Sequence, residues 1–389
     1  MVDWNEPDDT TASEEAVMAR RSTPPFRADH VGSLLRPAAL LQAREDHRAR
    51  TIDDEQLRSV EDAAIAEVVR MQEDVGLQSA TDGEFRRASW HMDFIYALGG
   101  TRRTDDRITV SFRNREGGLQ FDTAALRVDD RITLERPIFA DAFTYLRDQV
   151  TTTTPKLTIP SPSMIHYRGG RASIDESVYP EMDGFWSDLT TAYAEQVQAM
   201  YDLGCRYLQF DDVSLAYLND PDQREHVRQM GGDPDRQHVE YIRHINEAIA
   251  DRPDDMAITT HMCRGNFQSS WVAEGGYDHV AEALFNELDV DGFFMEWDDE
   301  RSGGFEPLRF VPAGKHVVLG LVTTKSGELE RRDDLKRRLD EASRYVDLDQ
   351  LCLSPQCGFA STSEGNRLTY DDEVAKLRLV VETAADVWG

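Results

Sequence analysis

From residue 27 onward the chain repeats one pattern: a short apolar run that ends in polar residues, then a stretch with apolar positions at helical spacing. That alternation constrains the fold more than any other feature, because neighbouring parallel strands need a crossover between them and a helix is the usual crossover. The runs 27–34, 78–85, 156–162, 207–212, 257–263, 292–297, 317–322 and 351–355 read as strands. The spacing predicts helices over 53–73, which stops at Gly76, over 186–203, which stops at Gly204, and over 371–387. One stretch breaks the rhythm. Residues 105–137 alternate polar and apolar around Glu116-Gly117-Gly118, the pattern of a β-hairpin inserted after the second strand. Residues 1–25 lack periodicity and read as a disordered acidic tail.

Eight strands with helical crossovers predict an α/β fold of the (β/α)8 TIM-barrel type, one catalytic barrel over 26–389 carrying the 105–137 hairpin. The polar residues at the strand ends argue the same way: His30 and Ser33, Asp82 and Glu84, Ser161 and Ser163, Asp211 and Asp212, His261 and Cys263, Glu296, Thr323 to Lys325, and Cys357. A barrel brings all of these to one rim, whereas an open doubly wound sheet scatters them about a switch point.

Charge narrows the partners. The chain has 73 acidic and 43 basic residues, a formal charge of −30, and only 5 of the basic residues are lysines. Such a surface repels phosphate backbones and anionic membranes, so neither nucleic acid nor a membrane is expected. It resembles the halophilic type of acidic surface, a solubility device for concentrated salt. No apolar run reaches membrane-spanning length, the first residues are unlike a signal peptide, and four cysteines in 389 residues make no disulfide framework. A cytoplasmic protein is expected, in which cysteines are available for chemistry.

Two of those cysteines stand out. His261 and Cys263 are two residues apart at a strand end, so they face the same way and can hold one ion. Glu296 ends the next strand, and Cys357 follows the last one. Two cysteines, a histidine and a glutamate make a tetrahedral zinc set. Cys205 and Cys352 lie in apolar surroundings and read as inert core residues. The set carries −3 against the +2 of zinc. An anionic shell makes the ion a poor activator of water, but one that can hold a substrate thiol deprotonated and nucleophilic. Thiol alkylation is the chemistry this favours.

At this point a resemblance is legible. ADHVGSLLRP (28–37), DGEFRR (82–87), LQFDD (208–212), HMC (261–263), FFMEW (293–297) and SPQCG (354–358) resemble the catalytic barrel of cobalamin-independent methionine synthase, in family order from about residue 27 to the C-terminus. HMCRGN and LGLVTTK are more similar to the short, single-barrel members, and the wider superfamily includes the epoxyalkane:coenzyme M transferase. The resemblance implies Zn2+ on His261, Cys263, Glu296 and Cys357. It implies homocysteine as the thiol, its carboxylate at Val31, Gly32 and Ser33 and its ammonium on Glu84 and Asp211. The alternative for the last two is a structural ion pair, with Arg86 or Arg206.

The chain departs from the family in two places. It has no second barrel to help bind a polyglutamylated folate, and Lys325 stands where the family has its general-acid histidine. Lys325 and Asp211 are thus the candidate catalytic residues. An unperturbed lysine is a weak acid at neutral pH, and segment 159–164 lacks an aromatic platform for a pterin. The expected donor is therefore a methyl corrinoid, carried by a partner protein, or a methyl-folate. A thiol–epoxide transferase is the competing reading; it would need cations for a sulfonate, for which Arg264, Arg86 and Arg87 are the candidates.

Overall fold

The computed structural model describes residues 21–114, 117–362 and 365–389. The expected tail lies outside the described residues up to residue 20, as does Glu116 at the expected turn. Nine strands are described: β1 (Ser79–Ala80), β2 (Gly99–Phe112), β3 (Leu119–Thr133), β4 (Thr154–Pro160), β5 (Tyr207–Asp212), β6 (Ala257–Met262), β7 (Gly292–Glu296), β8 (His316–Val322) and β9 (Leu351–Pro355). Seven of them form one parallel sheet in the order β1-β4-β5-β6-β7-β8-β9, while β2 and β3 pair antiparallel as a separate two-stranded sheet.

The sheet curls, and the side-chain alternation shows it. Phe293 and Met295, Val317 and Leu319, Leu351 and Leu353 join the large core under the helices. Their neighbours Phe294, Val318 and Cys352 join Val31 in a separate small cluster on the other face, which the curl encloses. Among the helices on the outer face, Asp54–Asp74 begins with a capping box between Asp53 and Gln56, buries Ile65, Val68 and Val69, and ends before Gly76 at φ +93°. Met182–Asp202 packs on Gln237–Ile249, with Trp186 stacked on His244 at 4.1 Å. The chain closes on Tyr370–Trp388, capped by Thr369 and Asp372. No helix among the described residues is long and apolar enough to cross a membrane.

Two expected strands are shorter than their sequences predict. Segment 27–34 is reduced to one parallel bridge, Ala28 with Leu353, where the Asp29 N–H donates to the Leu353 carbonyl at 3.0 Å. Gly32 then turns the chain at φ +145°, and a Cβ there would stand 2.7 Å from Thr158 Cγ2. Side chains complete the contact with β1: Ser79 Oγ donates to Asp29 Oδ1 at 2.9 Å and Thr81 Oγ1 to the Gly32 carbonyl at 2.6 Å. The second strand stops at Ala80 because Gly83 and Glu84 both adopt left-handed conformations, φ +65° and +61°. Behind these turns, Lys156 and Asp29 form an ion pair at 3.4 Å with both side chains fully buried. The two-stranded sheet runs over 99–133, earlier than the 105–137 expected.

Candidate metal centre and active site

β6 lies between β5 and β7, so His261 stands beside Asp211 on one side and Phe294 on the other. The Cys263 N–H donates to the Asp212 carbonyl at 2.9 Å, which continues the strand register past β6 and keeps its side chain on the face of His261. Glu296 is the last residue of β7, and its N–H donates to the Tyr277 hydroxyl oxygen at 2.9 Å. Cys357 follows β9, where the Gln356 N–H donates to the Val322 carbonyl at 2.8 Å.

The ligand atoms of His261, Cys263, Glu296 and Cys357 all lie within 4.8 Å of one another, and all four residues are buried. Cys263 Sγ and Cys357 Sγ are 3.5 Å apart. That is far beyond a disulfide bond and close to the edge of about 3.8 Å that two Zn–S bonds make in a tetrahedron. Both ring nitrogens of His261 are buried with no hydrogen-bond partner among the described residues. A buried imidazole so placed is costly unless an ion occupies the lone pair. The residues present therefore fit a tetrahedral, thiophilic ion. The hydrogen bond between the sulfurs holds Cys357 well below the usual thiol range and pushes Cys263 well above it.

Glu296 has a second set of partners. Its Oε1 accepts the Arg264 N–H at 2.8 Å and its Oε2 lies 3.2 Å from Arg301. Arg301 also bonds Asp298 at 2.8 Å and Asp299, and Asp298 holds Lys325 Nζ at 3.1 Å. Lys325 lines a separate cavity of about 290 Å3 with Trp271 and Thr323. It is thus an ion-pair member behind Glu296, not a wall of the cavity on which the sulfurs open.

That cavity, about 360 Å3, is lined by Val31, Asp211, His261, Cys263 and Cys357. Asp211 is buried, and loss of hydration pushes its carboxyl up to about 7, with the neighbouring Glu84 adding to the rise. Glu84 is raised for the same first reason. Its Oε1 accepts from Thr158 Oγ1 at 2.8 Å, and its buried Oε2 has no partner among the described residues. The alternative ion pairs do not form: Arg86 sits on Glu61 at 3.0 Å and Arg206 on Asp255 at 2.9 Å. The ion pair that Glu84 does make is with Arg87, at 3.6 Å. The Val31-Gly32-Ser33 turn packs against the loop of Cys357, where the Phe359 N–H donates to the Ser33 carbonyl at 2.9 Å. A Cβ on Gly358 would fall within bonding distance of Ser33 Oγ, so this contact requires glycine.

The structure also adds a wall that the sequence reading missed. Trp90, Tyr96, Phe112 and Phe267 line the same cavity, Phe112 from β2 and Phe267 from the loop after Cys263, their rings 5.3 Å apart. Arg264, Arg86 and Arg87 are not among its lining residues. Arg264 is fully buried and bonds Tyr277 at 3.3 Å, and Arg87 is spent on Thr158.

Residues 26–386 match the family model described as the catalytic domain of cobalamin-independent synthase. The chain is 47% identical over 381 residues to the uncharacterized protein YxjG of Bacillus subtilis, covering 97% of this chain and 99% of that protein. It is 22% identical to a methionine synthase of Pyrococcus abyssi, over 84% of each chain. The crystal structure of a Listeria monocytogenes protein assigned as a vitamin-B12 independent methionine synthase superposes with a TM-score of 0.75 at 38% identity, over 95% of this chain and all of that one.

Proposed function

The chain belongs to the cobalamin-independent methionine synthase family, and on that premise we propose that it is a zinc-dependent methyltransferase that makes methionine from homocysteine. The observation that carries the proposal is one cavity: the Cys263, Cys357 and His261 ligand atoms open on the same space as Asp211 and the Val31 turn. A Pyrococcus protein of comparable length carries the name methionine synthase, so the activity does not call for a second barrel. We read residues 26–389 as one cytoplasmic catalytic barrel. In that reading β2 and β3 form a cover, tied down where the Arg113 and Trp271 backbones exchange hydrogen bonds at 2.6 and 2.9 Å.

A zinc ion on His261, Cys263, Glu296 and Cys357 would keep the substrate thiol deprotonated at neutral pH while leaving its sulfur nucleophilic. The chain's own residues do the rest. Glu84 and Asp211 are buried carboxyls that an ammonium would restore to their charged forms, which orients the amino acid. The Val31-Gly32-Ser33 turn receives its carboxylate through backbone N–H groups and the Ser33 hydroxyl. The Arg264 N–H and Arg301 already hold the Glu296 carboxylate and would keep its charge compensated with or without an ion beside it. Lys325, bound to Asp298, balances the acidic residues behind Glu296 instead of delivering a proton. The aromatic wall keeps water from the sulfur and gives a flat donor a surface, and much of the rate comes from holding donor and sulfur in line.

The wall supplies the platform that segment 159–164 lacks, which favours methyl-folate as donor. A corrinoid partner finds no support in a family defined by independence of cobalamin. The test is methionine formation from homocysteine with methyltetrahydrofolate or methylcobalamin, before and after zinc removal. Zinc-dependent turnover with the folate supports the proposal in full. Turnover with methylcobalamin alone moves the donor to the corrinoid class, and no methionine from either donor rejects the proposal.

A further inference from the structure

The cavity above the metal centre holds two cations that the proposed chemistry does not use. Arg168, which follows the short helix Ser163–Tyr167 behind β4, and Arg103 on β2 both line it. Arg168 is only partly exposed, and its Nε is buried with no hydrogen-bond partner. Five other arginines bury an unpartnered Nε: Arg27, Arg36, Arg86, Arg301 and Arg338. Each of those rests a terminal nitrogen on a carbonyl or a carboxylate. Among the described residues Arg168 has no such contact, and Arg103 has no ion pair. The chain carries 73 acidic residues, so carboxylates are plentiful as partners. Asp93 and Asp211 are the acidic residues that line the cavity, and neither forms an ion pair with Arg168 or Arg103 among the described residues. Asp93 accepts the Ala88 N–H at 2.6 Å and the Ser89 N–H at 3.4 Å, and Asp211 accepts from Gln209 at 2.7 Å.

A guanidinium kept partly desolvated and unpaired beside aromatic rings is arranged for an anionic group on an apolar body. We propose that Arg168 and Arg103 form the anion-recognition subsite for the alkyl donor: a carboxylate, sulfonate or phosphate carried on an aromatic body, with that body against Trp90 and Phe112. This rests on the methyltransferase reading, because homocysteine is already matched by Glu84, Asp211 and the Val31 turn. It places the donor's charge on the cover and on the loop behind β4, away from the amino-acid pocket.

The test uses zinc-loaded protein and four probes with one aromatic body: 1-naphthoate, 1-naphthalenesulfonate, 1-naphthylphosphonate and the uncharged 1-naphthamide. Binding is read by calorimetry with and without homocysteine. The anions should bind about tenfold or more tighter than the amide, the return of one charge-assisted contact. The rank among the three identifies the group. Arg168→Gln should bring anion and amide to parity, Arg168→Lys should keep part of the preference, and zinc content and homocysteine binding should not change in either. Equal binding of anions and amide in the unmodified protein overturns the proposal. So does a preference that survives Arg168→Gln combined with Arg103→Gln, or displacement of the anions by homocysteine. Loss of zinc or of homocysteine binding in the unmodified protein would instead sink the methyltransferase reading, and the anion preference is read separately from both.

Discussion

Cys263 and Cys357, ninety-four residues apart in the chain, hold their sulfurs 3.5 Å apart inside the protein. Two strand ends and a glycine-dependent loop fix that separation, and it matches a shared ion rather than a covalent bridge. Replacing either sulfur should therefore remove the ion without unfolding the sheet. For Cys263→Ser and Cys357→Ser we expect zinc affinity to fall by about a hundredfold or more, measured by competition with a chromophoric chelator. Unchanged affinity in both variants would place the metal elsewhere.

The roles proposed for Glu84 and Asp211 predict a loss specific to the substrate's amino group. Glu84→Gln should lower kcat/KM for homocysteine by about ten- to a hundredfold, the range for one charge-assisted hydrogen bond. The same loss should appear in the unmodified enzyme with 4-mercaptobutyrate, which lacks the amine. The two losses should not add. Full additivity would show that Glu84 acts on something other than the ammonium.

The buried pair of Lys156 and Asp29 gives a stability prediction. Asp29 also accepts from Ser79 and from Tyr207, at 2.9 and 2.8 Å, and so ties segment 27–34 to β1 and β5. Lys156→Met leaves this carboxylate buried without its cation and should cost about 3–5 kcal/mol in urea denaturation. Adding Asp29→Asn should recover part of that, since the uncompensated charge is then gone. A single-variant cost under about 1 kcal/mol would contradict a structural role for this pair in tying segment 27–34 to β1 and β5.

What was legible in the sequence follows from these same residues. The strands from β5 to β9 are short runs with polar residues at or just beyond their ends, so their bounds could be read to within one residue and their rim residues directly. Segment 27–34 was also read as a strand, yet its pairing is taken over by Ser79, Thr81 and Gly32, a choice of partner that alternation does not encode. The helices Ala38–Arg48, Gln237–Ile249 and Arg332–Ala342 were not read as such. The first and third bury only two and three residues of narrow apolar stripes amid charge. The aromatic wall was invisible because Trp90, Phe112 and Phe267 meet only in space. The count of arginines in an acidic chain carried no sign of which one lacks a partner.

Glu373 supplies a pH-dependent check on the last helix. Its carboxyl is fully buried, accepts the Leu35 N–H at 2.8 Å, and is pushed up to about 8 by loss of hydration. The folded protein thus keeps a proton that the unfolded chain releases above about pH 4.5. Stability from this group is fully present below that pH and is lost as pH rises towards 8. Glu373→Gln keeps an acceptor for Leu35 and removes the titration. The variant should match the unmodified protein at pH 4.5 and exceed it by about 2–4 kcal/mol at pH 8, read from urea midpoints. A difference independent of pH would show that Glu373 is ionised in the folded state.

Whether this metal centre receives a substrate sulfur is decided by zinc-edge X-ray absorption on the zinc-loaded protein. With homocysteine added, one more sulfur in the zinc shell and one fewer oxygen are expected, with Glu296 kept on the Arg264 N–H and Arg301 that it already contacts. A shell unchanged by homocysteine would contradict this and leave the zinc structural; a shell changed only by coenzyme M would transfer the site to thiol–epoxide chemistry.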